Sequence, residues 1–193
     1  MTHIEAACLR VALVVGSTRE GRAGPAIAEW FADVVRQRAD LELDVLDLAR
    51  FDFPACYPAE PTGSMAEFNT RIDRAEAFVV VTPEYNHSFP ASLKQAIDYA
   101  YDEWQAKPVG FVSYGCRYQG IHAVGQLREV FTELHTVTMR DGVGFDLLDG
   151  SFDDTGRPHD TDGRRHAARN LLDQLTWWGL ALREARAARP YVS

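Results

Sequence analysis

Apolar residues along this chain recur at two spacings, one typical of buried strands and the other typical of amphipathic helices. Short runs rich in β-branched residues, such as 78–81, predict strands that are buried on both faces. The run 41–48 instead alternates apolar and acidic positions, which predicts a half-exposed strand at a sheet edge. The predicted strands cover 9–16, 41–48, 77–82, 108–113 and 137–145, and the predicted helices cover about 27–35, 65–74, 90–104, 124–134 and 164–187.

Strands that alternate with helices predict a parallel sheet covered by helices on both faces. In the helix after the third strand, Ser88 is predicted to be the N-cap and Pro90 to lie in the first turn. Five strands, with a candidate anion site in the loop after the first, fit the flavodoxin-like order 2-1-3-4-5. We therefore predict an α/β protein with a flavodoxin-like, doubly wound five-stranded parallel sheet, in which residues 1–193 form a single domain.

The charge balance and the cysteine and histidine spacing narrow the possible functions. The 193-residue chain has a net charge of −8, which argues against non-specific nucleic-acid binding. No apolar run reaches the length of a membrane span and no signal peptide is evident, so we predict a cytoplasmic protein without a membrane partner. The three cysteines and six histidines lack the spacing of metal sites, so we predict free thiols and no metal ion.

The loop after the first strand, 16–22, offers hydroxyl and guanidinium groups beside a predicted helix N-terminus. Backbone N–H groups and the helix dipole favour an anion there, and arginine adds charge-assisted contacts to phosphate oxygens. The loop lacks the lysine and the magnesium-binding hydroxyl of a nucleotide-hydrolysing enzyme. The alternative is a tight turn with solvent-exposed arginines. The candidate anion ligands are Ser17, Thr18, Arg19 and Arg22.

The loop after the third strand, 83–88, offers backbone amides and a flat aromatic side chain. It follows a buried strand, and open α/β folds bind ligands at the carboxyl ends of such strands. One loop suited to an anion and another suited to a planar ring together indicate a phosphorylated aromatic cofactor. A proline-led turn that caps a helix is the alternative, but it explains 84–86 poorly. In the loop 113–120, small residues would let the backbone approach a ring edge.

These motifs resemble those of the NADPH-dependent FMN reductases, a flavodoxin-like family that includes chromate, azo-dye and quinone reductases. The resemblance covers about residues 9–145. It is carried by Gly16-Ser17-Thr18-Arg19 with Gly21-Arg22, by Pro83-Glu84-Tyr85-Asn86-x-Ser88-x-Pro90-x-x-Leu93-Lys94-x-Ala96-Ile97-Asp98, and by Gln126-Leu127-Arg128.

The resemblance implies an oxidoreductase that passes hydride from NADPH or NADH through bound FMN to a small acceptor. That acceptor would be a quinone, an azo compound, a metal oxyanion or free flavin. No catalytic side chain is expected, because the flavin carries the chemistry. The resemblance also implies a homodimer or homotetramer, with the helix 93–104 as the candidate subunit contact unless its apolar stripe is core. The implied FMN ligands are Ser17, Arg19 and Arg22 at the phosphate, Pro83, Glu84, Tyr85 and Asn86 along the ring, and Ser113 and Gly115 at its far edge.

One segment departs from the family pattern. Related reductases usually have a glycine-rich loop after the fourth strand, but here Cys116 and Gln119 stand at glycine-like positions and Arg117 and Tyr118 add bulk. His122 stands where an arginine is common. The pocket over the flavin is therefore predicted to be narrower or differently charged. Arg117 and Tyr118 are candidates for contact with NADPH or substrate.

Two alternatives to a general reductase stay open at this point. One is a pathway-specific flavoenzyme that binds FMN without general NAD(P)H reductase activity, which the unusual loop 116–120 favours. The other is a flavodoxin-type electron carrier, whose acidic surface would suit a basic partner protein. The acidic segment 146–162 is predicted to be a long loop, acting as a lid or lying exposed to solvent.

Overall fold

Five strands and five α-helices form the part of the chain that this computed structural model describes, residues 8–192. The strands are β1 (Leu9–Val15), β2 (Leu41–Asp47), β3 (Ala77–Pro83), β4 (Pro108–Gly115) and β5 (Val137–Asp146). The helices are α1 (Gly24–Arg36), α2 (Gly63–Arg74), α3 (Ala91–Tyr99), α4 (Ile121–Glu133) and α5 (Asp162–Ala188). The strands pair in parallel in the order β2-β1-β3-β4-β5, which confirms the predicted topology.

Helices cover both faces of the sheet, as predicted. One hydrophobic cluster lies under α1 and α5, and a second lies under α2, α3 and α4. Successive side chains of a strand point to opposite faces. In β3, Val79 and Val81 therefore join the first cluster, while Phe78 and Val80 join the second. Because every residue of β3 and β4 is buried, contacts with a ligand are confined to the carboxyl ends of these strands and the loops that follow them.

β2 forms one edge of the sheet, as its alternating pattern predicts. Leu41 packs in the cluster under α1 and α5, whereas Leu46 packs in the cluster on the other face. Val45, which shares the pattern of Leu41, is nevertheless 39% exposed. An edge strand has a neighbour on one side only and is incompletely covered. Apolar residues of the alternating pattern in β2 are therefore not all buried.

The prediction that Ser88 caps α3 was wrong. The helix begins at Ala91, its N-cap position is Pro90, and no capping hydrogen bond from a side chain of the described residues is present. The Ser88 hydroxyl instead donates to Oε1 of Gln126, at 2.6 Å. A tight turn pairs Ser88 with Tyr85, and this turn places the serine before the helix and against α4.

The apolar stripe predicted for the segment 93–104 belongs to the core. All four of its members, Leu93, Ile97, Ala100 and Trp104, are buried in the cluster under α2, α3 and α4. The helix itself ends at Tyr99, and Trp104 lies in a short 3-10 turn that follows. The stripe is therefore occupied by intramolecular packing, and it is not available as the subunit contact suggested for it.

The acidic segment 146–162 folds back on itself. Side-chain carboxylates stabilise local turns in this segment. The Asp153 carboxylate, for example, accepts hydrogen bonds from the backbone N–H groups of Thr155 and Arg157. The Phe152 ring packs against Phe145, with ring centroids 6.0 Å apart. These contacts hold the segment against the end of β5.

α5 is the longest helix, with 27 residues. Its buried face, which includes Leu171, Leu172 and Leu175, packs on the sheet, and its other faces carry charged residues. Within residues 8–192, no helix is both long enough and apolar enough to cross a bilayer.

Replacing Gly110 with alanine is expected to destabilise the fold by about 1–3 kcal/mol, as overpacking of a tight core does. A Cβ on Gly110 in β4 would lie 2.6 Å from Cδ1 of Leu171 in α5. Urea unfolding of the full chain measures the change. Gly125→Ala in α4 is the matched control, because no atom outside the helix backbone lies within 4 Å of the added Cβ. Alanine there should stabilise by up to roughly 1 kcal/mol. Equal destabilisation of both variants would contradict the packing explanation.

Candidate functional site

A cavity of about 380 Å³ opens at the carboxyl edge of the sheet. Ligand pockets usually enclose roughly 300–1,000 Å³. The loops after β1, β3 and β4 form its walls, together with one residue after β5. The lining residues are Arg19, Glu20, Gly21, Arg22, Ala23, Pro83, Glu84, Tyr85, Tyr114, Gly115, Cys116 and Leu147.

The N-terminus of α1 forms one side of this cavity. Pro25 occupies the start of the helix, and within the described chain no side chain caps it and its first turn holds no acidic residue. By contrast, Thr62 caps α2 and Thr161 caps α5. The first N–H groups of α1 are therefore left without a side-chain cap, and its positive dipole end faces the loop that carries Arg19. This arrangement suits an anion.

Two buried hydroxyls beside this helix end have no hydrogen-bond partner within residues 8–192, namely those of Ser17 and Tyr114. A Cβ on Gly24 would lie 2.4 Å from Ser17 Oγ and 2.9 Å from the Tyr114 hydroxyl, so only glycine fits there. Burial raises the pKa of Tyr114 to about 12, which keeps its hydroxyl protonated at neutral pH. The nearby Ser17 hydroxyl and Gly24 N–H lower that pKa but do not outweigh burial. Buried hydroxyls of this kind normally have a partner.

Arg22 fastens the first loop to the end of β2. Its guanidinium donates to both carboxylate oxygens of Asp47, each at 2.7 Å, and also to the carbonyl oxygen of Ser17. Burial acts to raise the pKa of Asp47, but the hydrogen bonds from Arg22 and from the Ala49 N–H outweigh it, so that pKa is lowered. The hydrogen bond with Asp47 raises the pKa of Arg22. The ion pair fixes the curvature of the loop.

Arg19 joins the first loop to the second. Its guanidinium carbon lies 3.7 Å from the centre of the Tyr85 ring, a close cation–π contact. The neighbouring Thr18 hydroxyl turns towards α3, where it donates to Ser92 Oγ at 3.4 Å, and Ser92 in turn donates to the Gly16 carbonyl. The first loop is thus held from both sides.

The second loop is a two-residue hairpin turn. Tyr85 and Ser88 exchange backbone hydrogen bonds of 2.8 and 3.0 Å around Asn86 and His87, whose φ angles are 52° and 63°. This left-handed pair matches a type I′ turn, in which asparagine is favoured. Gln126 of α4 clamps the turn by donating to the His87 carbonyl at 2.8 Å. The turn holds the Tyr85 ring against the cavity.

Glu84 has a partner that its sequence motif did not suggest. Its carboxylate accepts the backbone N–H of His122 at 3.0 Å and so caps α4, whose own N-cap residue is Gly120. Its N–H donates to the Tyr114 carbonyl at 2.9 Å. The loops after β3 and β4 are therefore joined through Glu84.

The third loop holds residues other than glycine in glycine-like conformations. Arg117, Gln119 and Gly120 have φ angles of 69°, 53° and 82°, and left-handed backbone costs an L-residue about 1–2 kcal/mol. Ser113 Oγ donates to the Gln119 carbonyl at 2.6 Å and holds this shape. A Cβ on Gly115 would lie 3.2 Å from Cβ of Glu84, so glycine allows the second and third loops to approach.

Comparison with known proteins decides the family. Residues 9–147 match the NADPH-dependent FMN reductase family, which is most of the chain. The chain belongs to this family. It is therefore an oxidoreductase of an FMN- and NAD(P)H-dependent family, which confirms the enzyme class and cofactors expected from the sequence.

Individual relatives agree with this assignment. A quinone reductase of Pseudomonas putida is 32% identical over 183 residues, which cover 87% of this chain and 93% of that protein. An NAD(P)H-dependent FMN reductase of Schizosaccharomyces pombe is 32% identical over 136 residues, which cover 62% of this chain and 67% of that protein. The fold resembles FerB, a flavoenzyme NAD(P)H:(acceptor) oxidoreductase from Paracoccus denitrificans, with a TM-score of 0.75 and 22% identity over 88% of this chain and 97% of that chain.

The residues predicted for FMN in this reductase, and Arg117 and Tyr118 predicted for NADPH or substrate, fall into three groups. On the cavity wall lie Arg19, Arg22, Pro83, Glu84, Tyr85 and Gly115. Ser17 is buried in the first loop, and Ser113 is buried near the end of β4, where it borders a separate cavity beside α4 and β5. Outside the wall lie Thr18, Asn86, Arg117 and Tyr118, of which Tyr118 lines a separate cavity of about 400 Å³ beside α4 and β5.

The site predictions left out Tyr114 and Leu147 on the wall of the reductase cavity, and Asp47, which binds Arg22 behind it. Tyr114 lies two residues after the buried Val112 in β4, so both side chains point to the same face of the sheet. This two-residue repeat could have predicted that Tyr114 is buried next to α1. Asp47 ends β2, which neighbours β1 in the predicted order, so its contact with Arg22 could have been anticipated. Leu147 could not be predicted, because it lies in an irregular loop without periodicity. Its N–H donates to the Gly115 carbonyl, which places Leu147 beside the cavity.

Asp47→Asn is expected to weaken FMN binding about tenfold, equivalent to about 1.4 kcal/mol, because Arg22 loses a charged partner and the first loop loosens. Quenching of FMN fluorescence on binding measures the dissociation constant. Asp44→Asn is the matched control, since Asp44 lies on the same strand and pairs with Arg71 through two hydrogen bonds. This control should bind FMN as the wild type does. Equal weakening in both variants would sink the proposed role of the Arg22–Asp47 pair.

Proposed function

We propose that the protein is an NAD(P)H-dependent FMN reductase whose acceptors are small quinones. The observation that supports this most directly is the cavity between the three loops, with an uncapped helix end on one side and an aromatic ring on the other. Phosphate and isoalloxazine need these two environments at the two ends of one ligand. The chemistry of the donors therefore fits FMN.

The phosphate end of FMN is proposed to lie at α1. The uncapped N–H groups of the helix and the Ser17 hydroxyl would supply hydrogen bonds, and Arg19 would supply positive charge. Arg22 contributes by position, because both of its outer nitrogens already bind Asp47. Ser17 and Tyr114, whose buried hydroxyls have no partner within the described residues, would gain partners from the ligand.

The ring end of FMN is proposed to lie between the second and third loops. Tyr85 offers a flat surface held by Arg19, and Gly115 lets the backbone approach the ring edge. Cys116 and Leu147 close the far side. Bound there, FMN would take a hydride from the nicotinamide and, with one proton from solvent, reduce a quinone to its hydroquinone. The chain orients the ring and limits access to it.

The proposal that quinones are the acceptors is based on similarity to a known quinone reductase. The Pseudomonas putida quinone reductase aligns along 93% of its length with this chain, well beyond the motifs that surround the cavity. Its alignment covers 87% of this chain, so it includes parts of the chain that shape the rim of the cavity. Among the acceptors that the resemblance implies, quinones are therefore favoured.

Anaerobic addition of NADPH to the FMN-loaded protein is expected to bleach the flavin absorption, and a water-soluble benzoquinone should restore it. Visible absorption follows both steps, and NADH in place of NADPH tests the choice of donor. Flavin that stays oxidised in excess NADPH and NADH would refute the reductase. Flavin that is bleached but not restored by quinone would refute the acceptor alone.

Gln119→Gly is expected to stabilise the protein by up to roughly 1 kcal/mol, because it removes a left-handed L-residue from the third loop. Cys116→Gly is the matched control, since Cys116 has no positive φ and glycine there should destabilise slightly. Urea unfolding measures the change in stability of both variants.

We also expect the double variant, Cys116→Gly with Gln119→Gly, to oxidise NADPH faster with a quinone acceptor, because less bulk surrounds the ring. Unchanged turnover would show that this loop does not restrict access.

A further inference from the structure

We infer that Glu84, His87 and His122 form a binding site for one divalent transition-metal ion, with Zn²⁺ as the representative ligand. One ligand atom from each residue lies within 4.8 Å of the others. Two residues come from the loop after β3 and the third from the first turn of α4. The sequence predicted no metal site, because these ligands have no recognisable spacing along the chain. The proposed reductase reaction does not need this ion, so the site is a separate property.

The donor atoms of the cluster are available. Across the described chain, residues 8–192, no hydrogen bond engages either imidazole ring. The rings of His87 and His122 stack instead, with centroids 4.3 Å apart and planes 22° from parallel. Glu84 uses Oε2 for the His122 N–H, which leaves Oε1 free to bind an ion. His87 is exposed and the other two side chains are partly buried, so an ion can enter from solvent.

Neighbouring side chains support the loop and helix that carry the cluster. Gln126 accepts the Ser88 hydroxyl and donates to the His87 carbonyl, which fixes the hairpin turn against α4. The Tyr118 ring packs edge-on against His122, with centroids 5.3 Å apart. These contacts limit the side-chain and backbone freedom that metal binding would otherwise remove, which favours affinity.

Two imidazoles and one carboxylate are a donor set that suits Zn²⁺, with water in the remaining position. Zn–N bonds of about 2.0–2.1 Å require the rings to rotate and draw together. His87 can do so because it is exposed at the tip of a turn. The positive end of α4 opposes a cation, but Glu84 lies against that end and offsets its charge.

A bound ion would join the second loop to α4 directly beside the reductase cavity. Glu84 belongs to both the metal cluster and the cavity wall. An ion there would hold the turn that carries Tyr85 in one position. Metal binding is therefore expected to raise the melting temperature of the protein, since only the folded chain brings the three ligands together.

Isothermal titration of Zn²⁺ into the full-length, metal-stripped protein tests the site. We expect one Zn²⁺ per chain. His87→Asn, His122→Gln and Glu84→Gln should each weaken binding at least tenfold. Asparagine tolerates the left-handed turn at 87, glutamine suits the helix at 122, and glutamine at 84 keeps an acceptor for the His122 N–H. His166→Gln is the matched control, because His166 is exposed on α5, hydrogen-bonds to Asn170 of the same helix and is not part of the cluster, and this variant should bind Zn²⁺ as the wild type does.

Far-UV circular dichroism and urea unfolding verify that each variant is folded. A second readout is the visible absorption of Co²⁺ added in place of Zn²⁺, which should show imidazole coordination that His87→Asn and His122→Gln remove. The absence of saturable Zn²⁺ binding would overturn the site. Binding that persists at full strength in a variant lacking both histidines, or that falls equally in His166→Gln, would also overturn it. None of these measurements uses NADPH or a quinone, so their failure leaves the reductase proposal untouched.

Discussion

Burial of β3 and β4 on both faces is the constraint on which the rest of the molecule depends. A strand that packs against helices on either side exposes neither face to a ligand, so polar chemistry can occur only where the strand ends. Parallel pairing brings all the carboxyl ends to one edge. The loops after β1, β3 and β4 therefore meet, although they are far apart along the chain.

Meeting at one edge does not give the loops a defined shape; a small number of specific contacts does. Arg22 binds Asp47, Arg19 covers Tyr85, and the Glu84 carboxylate caps α4. Each contact joins a different pair of elements, so the cavity wall is cross-linked from several directions. A site held in this way needs little rearrangement when a ligand enters, which favours both affinity and orientation.

Periodicity in the sequence was sufficient to locate the strands and helices, because strands buried on two faces leave apolar runs and helices repeat their apolar positions every three to four residues. The strand order came from the fit to the flavodoxin-like fold. Tertiary partners were harder to predict. Serine is a favoured N-cap residue, yet the left-handed turn at Asn86 and His87 places Ser88 before α3. Asparagine at position 86 is compatible with such a turn, but by itself it does not predict one. The site motifs located the correct loops, but they did not distinguish Arg19, which faces the cavity, from Thr18, which turns to α3. The cluster of Glu84 with two histidines depends on the meeting of two elements that a linear pattern cannot show.

The start of α1 has a consequence for the life of the protein in a cell. Its first turn has no side-chain cap from the described chain, so FMN bound as proposed would supply hydrogen-bond partners there. Segments with few internal bonds open more often, and proteases cleave them while they are open. A molecule without its cofactor would then be degraded sooner than a loaded one. Flavin supply would thereby influence the abundance of this enzyme as well as its activity.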